Sequence, residues 1–277
     1  MSASARFERF EADRFEMVDA LCGRCLDDPP SSEELRDALY SEDQPAIVRG
    51  APGVGIVATV CNGSQGYVRL LGVDPAARRQ GHGSALLEAA ERDLAHHDVE
   101  SVQVGADPPY FLYPGVPSTA TAMLCLLERH HYDRAEANIN MEIDLEQLPP
   151  DPGGHHVARA DERAEVADWM ARHWPNWEAE ALRALDKSTL LLSRDGDDIT
   201  GFCAYGVNRQ GLLGPIAVRG DLMGRGTGRP LLVGALHRMR ATGQTRAEVV
   251  WVGPIRPYAR LGGRVTKTFF VYRRRLG

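Results

Sequence analysis

Two stretches of this sequence combine glycines, a cation and the start of a helix in the way an anion-binding loop requires. The first reads Val73-Asp74-Pro75-Ala76-Ala77-Arg78-Arg79-Gln80-Gly81-His82-Gly83-Ser84 and runs into Ala85-Leu86-Leu87. Gly81 and Gly83 let the backbone turn tightly with its N–H groups exposed, and the helix that begins there adds its positive end. The main chain from Gln80 to Ser84 would therefore cradle a pyrophosphate, with His82 as a backbone donor rather than a base. A guanidinium matches phosphate geometry, so Arg78, with Arg79 beside it, is expected to touch the ligand. The loop lacks the Gly-Lys-Ser/Thr of a Walker loop and the Gly-x-Gly-x-x-Gly of a dinucleotide fingerprint.

The second stretch lies 145 residues later, where Gly226, Gly228 and Leu232 answer Gly81, Gly83 and Leu87. It runs from Val218 through Met223-Gly224-Arg225-Gly226-Thr227-Gly228, with Met223 at the place of Arg78. Strand-like residues precede each loop, ending at Val73 and Val218, and an amphipathic helix follows each. A repeat of this length is a duplicated domain, not a solenoid.

The elements around the loops have the same order in both copies. The first copy predicts a strand at 6–10, helices at 13–26 and 32–40, strands at 46–49, 54–61 and 65–73, and a helix at 84–96. A strand at 101–105, a helix at 119–130 and a closing strand at 139–145 complete it. Ser31 or Ser32 caps the second helix, with Glu34 in its first turn. The second copy predicts strands at 155–158, 189–193, 200–205, 211–218, 247–252 and 266–273, with helices up to Leu185, at 229–242 and around Tyr258. This pattern is α/β (α+β), with two tandem domains that each carry a mixed, mainly antiparallel sheet flanked by helices. The run Leu148-Pro149-Pro150-Asp151-Pro152-Gly153-Gly154 can continue neither helix nor central strand, which sets the expected domains at 1–148 and 153–277.

Composition narrows the class. With 277 residues, 43% hydrophobic and 25% charged, the chain is ordinary globular protein with room for a core in each half. The longest apolar run, Gly55 to Cys61, is far short of a membrane span, and the polar start has no apolar signal core, so a cytoplasmic protein without a membrane partner is expected. Up to Pro150 there are 25 acidic and 12 basic residues, and after it 13 and 20. The acidic half argues against nucleic acid as a partner, while the basic half suits an anionic ligand or complements its neighbour. Five cysteines form no disulfide framework. Cys22-x-x-Cys25 lacks a second pair or a His cluster, and the adjacent His doublets point in different directions, so no metal is expected.

At the first loop, Arg78-Arg79-Gln80-Gly81-His82-Gly83 resembles the Arg/Gln-x-x-Gly-x-Gly/Ala hallmark of the GNAT superfamily of acyl-CoA N-acyltransferases. The order of elements is similar in both halves, which points to a tandem arrangement. The resemblance implies acetyl-CoA as co-substrate, its pyrophosphate on the loop amides, and direct acetyl transfer to the amine of a small molecule or peptide. Backbone donors near Val73 or Val218 would polarise the thioester carbonyl, because the family opens the strand edge there. The family also places a tyrosine in the helix after the next strand, where it protonates the departing thiolate. Pro257-Tyr258-Ala259-Arg260-Leu261-Gly262-Gly263 aligns with that segment and keeps Tyr258, whereas the first copy has Leu127 at the position. Loop quality favours the first copy and the acid favours the second.

Glu248, just before Trp251-Val252-Gly253-Pro254, is the candidate base, with Asp107 and Glu100 as weaker candidates in the first copy. The first copy is also longer between loop and acid position, by 46 residues against 32, and the excess falls in an aromatic, proline-rich segment from Pro108 to Pro117. This segment is expected at the domain interface, with a wall of the acceptor pocket as the alternative. A non-catalytic CoA-binding or regulatory module is the competing functional reading, because each copy lacks one half of the apparatus. Aminoacyl or peptidyl transfer on the same fold is a third, which no feature demands. The acceptor, the working copy and the oligomeric state stay open.

Overall fold

Local signals start most of the elements in the computed structural model, which describes residues 7–276. Met1 to Arg6, including the first residue of the first expected strand, and Gly277 lie outside the described residues. After β1 (Glu8–Arg9) and α1 (Phe15–Cys25), α2 (Ser32–Tyr40) begins at a reciprocal cap. The Ser31 hydroxyl accepts the Glu34 N–H at 3.3 Å, and the Glu34 carboxylate accepts the Ser31 N–H at 2.7 Å. Such a cap contributes about 1 kcal/mol. Strands β2 (Ile47–Ala51), β3 (Gly55–Asn62) and β4 (Gln65–Val73) form an antiparallel meander. Then follow α3 (His82–Ala95), β5 (Ser101–Val104), β6 (Val116–Pro117), α4 (Thr121–Arg129) and β7 (Asp133–Asp144).

The second half comprises β8 (His156–Val157), α5 (Arg163–His173), α6 (Glu178–Asp186), β9 (Leu190–Asp195), β10 (Asp198–Tyr205) and β11 (Leu212–Val218). It continues with α7 (Gly228–Ala241), β12 (Arg246–Val249), α8 (Ile255–Ala259) and β13 (Arg264–Arg275). No helix among the described residues is long and apolar enough to cross a membrane.

The chain forms two compact units whose limits differ from the cut expected at the proline-rich linker. The first runs to Asn138 and also includes the chain from Thr268 onward; the second is Ile139–Lys267. Strand pairing is the cause. In the first unit the strand order is β1-β2-β3-β4-β5-β13-β7, so the last strand of the chain is antiparallel to β5, with Tyr272 opposite Val104. In the second unit the order is β7-β12-β11-β10-β9-β8, and residues 141–144 of β7 pair antiparallel with β12. The strand expected to close the first copy thus serves the second unit, and the strand expected to close the second copy serves the first.

Each unit packs helices on both faces of its sheet. In the first, α1 and α2 cover Val48, Ile56, Ala58 and Leu70, and α3 with Leu127 of α4 covers Val57, Val68, Val102 and Tyr272. In the second, α5 and α6 cover Leu190, Leu192, Ile199 and Phe202, and α7 with Tyr258 of α8 covers Met141, Leu213, Ala247 and Val249. The proline-rich segment corrects the expectation of an interface loop, because Tyr110 and Leu112 are buried in the first unit's own core.

Candidate active site

In both units two parallel strands begin side by side and then part. Residues 65–68 of β4 pair with 101–104 of β5, and the pairing stops after Val68. Leu212 and Leu213 of β11 pair with Glu248 and Val249 of β12, and the pairing stops after Leu213. The antiparallel partner is irregular at the same place. Arg69 is an extra residue opposite the Ala58–Thr59 step, and Gly214 and Pro215 together face the single Ala204. A bulge twists its strand and re-aims the side chains that follow, which opens a wedge beyond the last pair.

The two wedges are filled differently. In the first unit Arg69 is fully buried. It donates to the Asp107 carboxylate, the Ala38 carbonyl and, at 2.5 Å, Gln44 Oε1, and its guanidinium lies 4.6 Å from the centre of the Tyr110 ring. Position 69 plus the repeat of 145 is Gly214, and a Cβ built there would meet only Val250 Cγ2, at 3.8 Å. Leu126 of α4 lies against the start of α3, since a Cβ on Gly83 would meet it at 3.2 Å, whereas one on Gly228 would meet only Val218 at 3.5 Å.

The loops themselves have the backbone that glycine permits. Gly81 has φ +87° at the start of α3, Gly226 has φ +85° ahead of α7, and added Cβ atoms at either would meet nothing within 4 Å. Neither helix has a side-chain cap, but α7 offers fewer first-turn donors than α3, because Pro230 has no N–H and the Arg229 N–H donates to the Gly226 carbonyl at 3.1 Å. The loops are cradles that suit an anion such as pyrophosphate. The Arg78 guanidinium donates to the carbonyls of Val73 at 3.1 Å and Cys25 at 3.4 Å, holding the loop to the end of α1. The exposed Met223 replaces it in the second loop. There the Arg219–Asp221 pair at 2.7 Å and the Thr227 hydroxyl on the Leu222 carbonyl at 3.1 Å hold the turn.

Tyr258 is buried in the cluster that contains Leu213 and Val218, the two ends of the second wedge, and Cys203. Burial, reinforced by Cys203, raises its hydroxyl to about 12, so it stays protonated at neutral pH. At the corresponding position of the first unit Leu127 is fully buried and offers no proton. Glu248 sits between Ala247 and Val249, which face the core, so it points to the opposite side of the sheet. Its oxygens accept from the Asn140 amide at 2.6 Å and the Lys267 ammonium at 2.7 Å, and Asn140 Oδ1 accepts the Trp251 N–H at 3.1 Å. Asp107, the weaker candidate of the first copy, is committed to Arg69. Cys22 and Cys25 are buried in α1, and burial raises their thiols to about 12 and about 11.

Comparison with known proteins finds a family match in the first half of the chain. The acetyltransferase (GNAT) family matches residues 29–110, which span the first wedge and loop. A mycothiol acetyltransferase of Clavibacter michiganensis subsp. michiganensis is 29% identical over 243 residues, 77% of this chain and 74% of that protein. The chain is similar to GNAT acetyltransferases. A tandem GNAT protein from the clavulanic acid biosynthesis pathway superposes with a TM-score of 0.71 at 14% identity, covering 98% of both chains. The GCN5-related glucosamine N-acetyltransferase region of a fungal multi-domain GH3 β-N-acetylglucosaminidase gives a TM-score of 0.79 at 19% identity; 97% of this chain is covered, and it spans 38% of that longer one. At these identities the two structures establish the fold, which is the GNAT fold in tandem.

Seen as a GNAT pair, the molecule brings Val218, Gly224, Arg225, Gly226, Thr227 and Gly228 into one unit with Tyr258 and Glu248. Val73 and the residues from Arg78 to Ser84 belong to the other unit, without an acid at the family position. The sequence reading missed Trp174, which donates its indole N–H to the Val218 carbonyl at 3.2 Å and stacks on Trp177 with ring centres 5.1 Å apart. A signal was present, because all four tryptophans of the chain lie between residues 169 and 251. The importance of Gly214 had no such signal, since only the packing around Arg69 reveals what its missing side chain leaves open.

Proposed function

We propose that the second unit performs the acyl transfer, with acetyl-CoA as donor and the amine of a small molecule as acceptor, and that the first unit is a partly degenerate copy that serves as scaffold. One contrast carries this reading: the wedge beside Tyr258 has Gly214, where a Cβ would make only an ordinary contact with Val250, while the first unit has Arg69, fully buried on Asp107. The mycothiol acetyltransferase relative supports a small molecule as the acceptor class.

In this reading the donor supplies an acetyl thioester activated for attack by an amine. The N–H groups of Gly226, Thr227 and Gly228 hold its pyrophosphate; Arg229 and Pro230 offer no further main-chain donor. The free edge of β11 beyond Leu213 directs main-chain donors at the thioester carbonyl, where negative charge develops. The attacking amine forms the C–N bond as the C–S bond breaks, and Tyr258 gives its proton to the departing sulfur. Each oxygen of Glu248 keeps a lone pair beyond the Asn140 and Lys267 bonds, so it can take the amine's proton directly or through a water.

Release of free thiol from acetyl-CoA, followed with a panel of primary amines, tests the reading. Tyr258→Phe should lower kcat about 100-fold with little change in KM for acetyl-CoA, the size usual for a lost general acid. An unchanged kcat would remove Tyr258 from the mechanism. Tight acetyl-CoA binding with no turnover for any amine would favour the non-catalytic module.

A further inference from the structure

β5 and β12, the strands on one side of each wedge, both run into a left-handed turn, and different residues hold it. Ala106 and Trp251, 145 residues apart, have φ +53° and +50°. Few residues other than glycine take that conformation, and it persists only where neighbours fix it. In the first unit the fixing residue is Gln103, which stands 145 residues before Glu248. Its amide donates to the Gly105 and Ala106 carbonyls, both at 3.0 Å, and its Oε1 accepts from Arg273 at 2.7 Å. An uncharged side chain committed in this way offers no base to an amine.

In the second unit Asn140 of β7 holds the turn instead. It is 1% exposed, and both ends of its amide are engaged. The Trp251 N–H can only donate, so it takes the Oδ1 end, at 3.1 Å, and this turns Nδ2 toward Glu248 Oε1, at 2.6 Å. The Lys267 ammonium donates to the other oxygen at 2.7 Å. Each oxygen of the carboxylate thus meets a donor, an arrangement that suits the ionised form a base requires. With the turn tied to β7, position 248 is released from the task that occupies Gln103 and carries a carboxylate.

We propose that Asn140 is a positioning residue for the transfer, holding the Glu248 carboxylate where it can take the proton of the acceptor amine. The proposal rests on the reading of Glu248 as the base of the second unit. Steady-state acetyl transfer by the full chain to the fastest primary alkylamine of the panel tests it, in Asn140→Ala, Glu248→Gln and the pair. Glu248→Gln should lower kcat about 100-fold. Asn140→Ala should lower it about tenfold, the size of one hydrogen bond to a charged group, with KM for acetyl-CoA within about twofold of the parent. Because Asn140 acts through Glu248, the double variant should be no slower than Glu248→Gln alone. The deficit of Asn140→Ala should also narrow as pH rises from about 7 to about 10, where an alkylamine sheds its proton without help. Should Asn140→Ala not fold, Asn140→Asp keeps the shape and the acceptor for Trp251 but sets an oxygen against Glu248, and the same results are expected of it. Losses that multiply in the double variant, a deficit independent of pH, or an unchanged kcat in Asn140→Ala each overturn the proposal while Glu248 stands as the base. An unchanged kcat in Glu248→Gln, or no turnover of any amine by the parent, overturns both.

Discussion

The two units share one fold and a left-handed glycine in each loop, Gly81 and Gly226, and they differ most sharply at one step of β-strand. At the bulge where the parallel strands part, the first unit has its largest fully buried side chain, Arg69, and the second has Gly214. An arginine buried without water requires a carboxylate and further acceptors, and Asp107, Ala38 and Gln44 supply them. This commits the segment after β5 to the core, including Tyr110 over the guanidinium. Glycine commits nothing, so the second wedge keeps its space. A duplicated domain can thus keep the glycine turn of its loop in both copies while a single side chain fills the strand step in only one.

The largest expected effect comes from the strand that the first unit takes from the end of the chain. Ending the protein after Lys267 removes buried Phe269, Val271 and Tyr272. At about 1.5–3 kcal/mol each, that loss is on the order of a domain's whole stability. Denaturant unfolding followed by circular dichroism should show the cooperative transition of the first unit gone; a retained transition would mean that β13 is dispensable there.

Arg69→Met comes next. Leaving Asp107 buried without its cation should destabilise the protein by about 3–5 kcal/mol, and adding Asp107→Leu should recover most of it. A single variant as stable as the parent would contradict the role given to this pair. The parallel substitutions Gly226→Glu and Gly81→Glu sharpen the functional contrast, since each places a carboxylate in a phosphate cradle. We expect Gly226→Glu to reduce acetyl-CoA turnover about 100-fold or more and Gly81→Glu to change it less than about twofold. The reverse ranking would move the reaction to the first unit.

The smallest effect is a pH dependence confined to the second unit. Burial raises the Glu180 carboxyl to about 8, against the opposing pull of Arg183 and of the Asn208 amide, which donates to it at 2.8 Å. The folded state then holds a proton that the unfolded state has released, so stability falls as pH rises from the ordinary carboxylate range to about 8. Glu180→Gln should flatten the decline in Tm between pH 6 and 8, and an unchanged slope would assign the decline to another group.

Much of this was legible along the chain. The repeat of 145 residues, both loops, the capped α2 and the helices of the loops follow from glycine placement, capping residues and apolar spacing, which act within a few residues. Tyr258 came from its neighbours in sequence, and the structure buries its ring in the cluster that holds Leu213 and Val218. The type of Arg78 suggested a phosphate ligand, and nothing near it in sequence announced its bond to the carbonyl of Cys25, fifty-three residues away.

What the tertiary structure decided is of that second kind. No local preference tells β13 to pair with β5 rather than stay with its own copy, because either sheet edge satisfies its backbone equally. Nothing near Arg69 in sequence announces Asp107, and nothing near Gly214 announces space. Asn140 meets Glu248 and Trp251 only because β7 pairs with β12. Residue types and short spacings determined that this chain could hold an anion twice; contacts between distant residues determined which wedge stayed open.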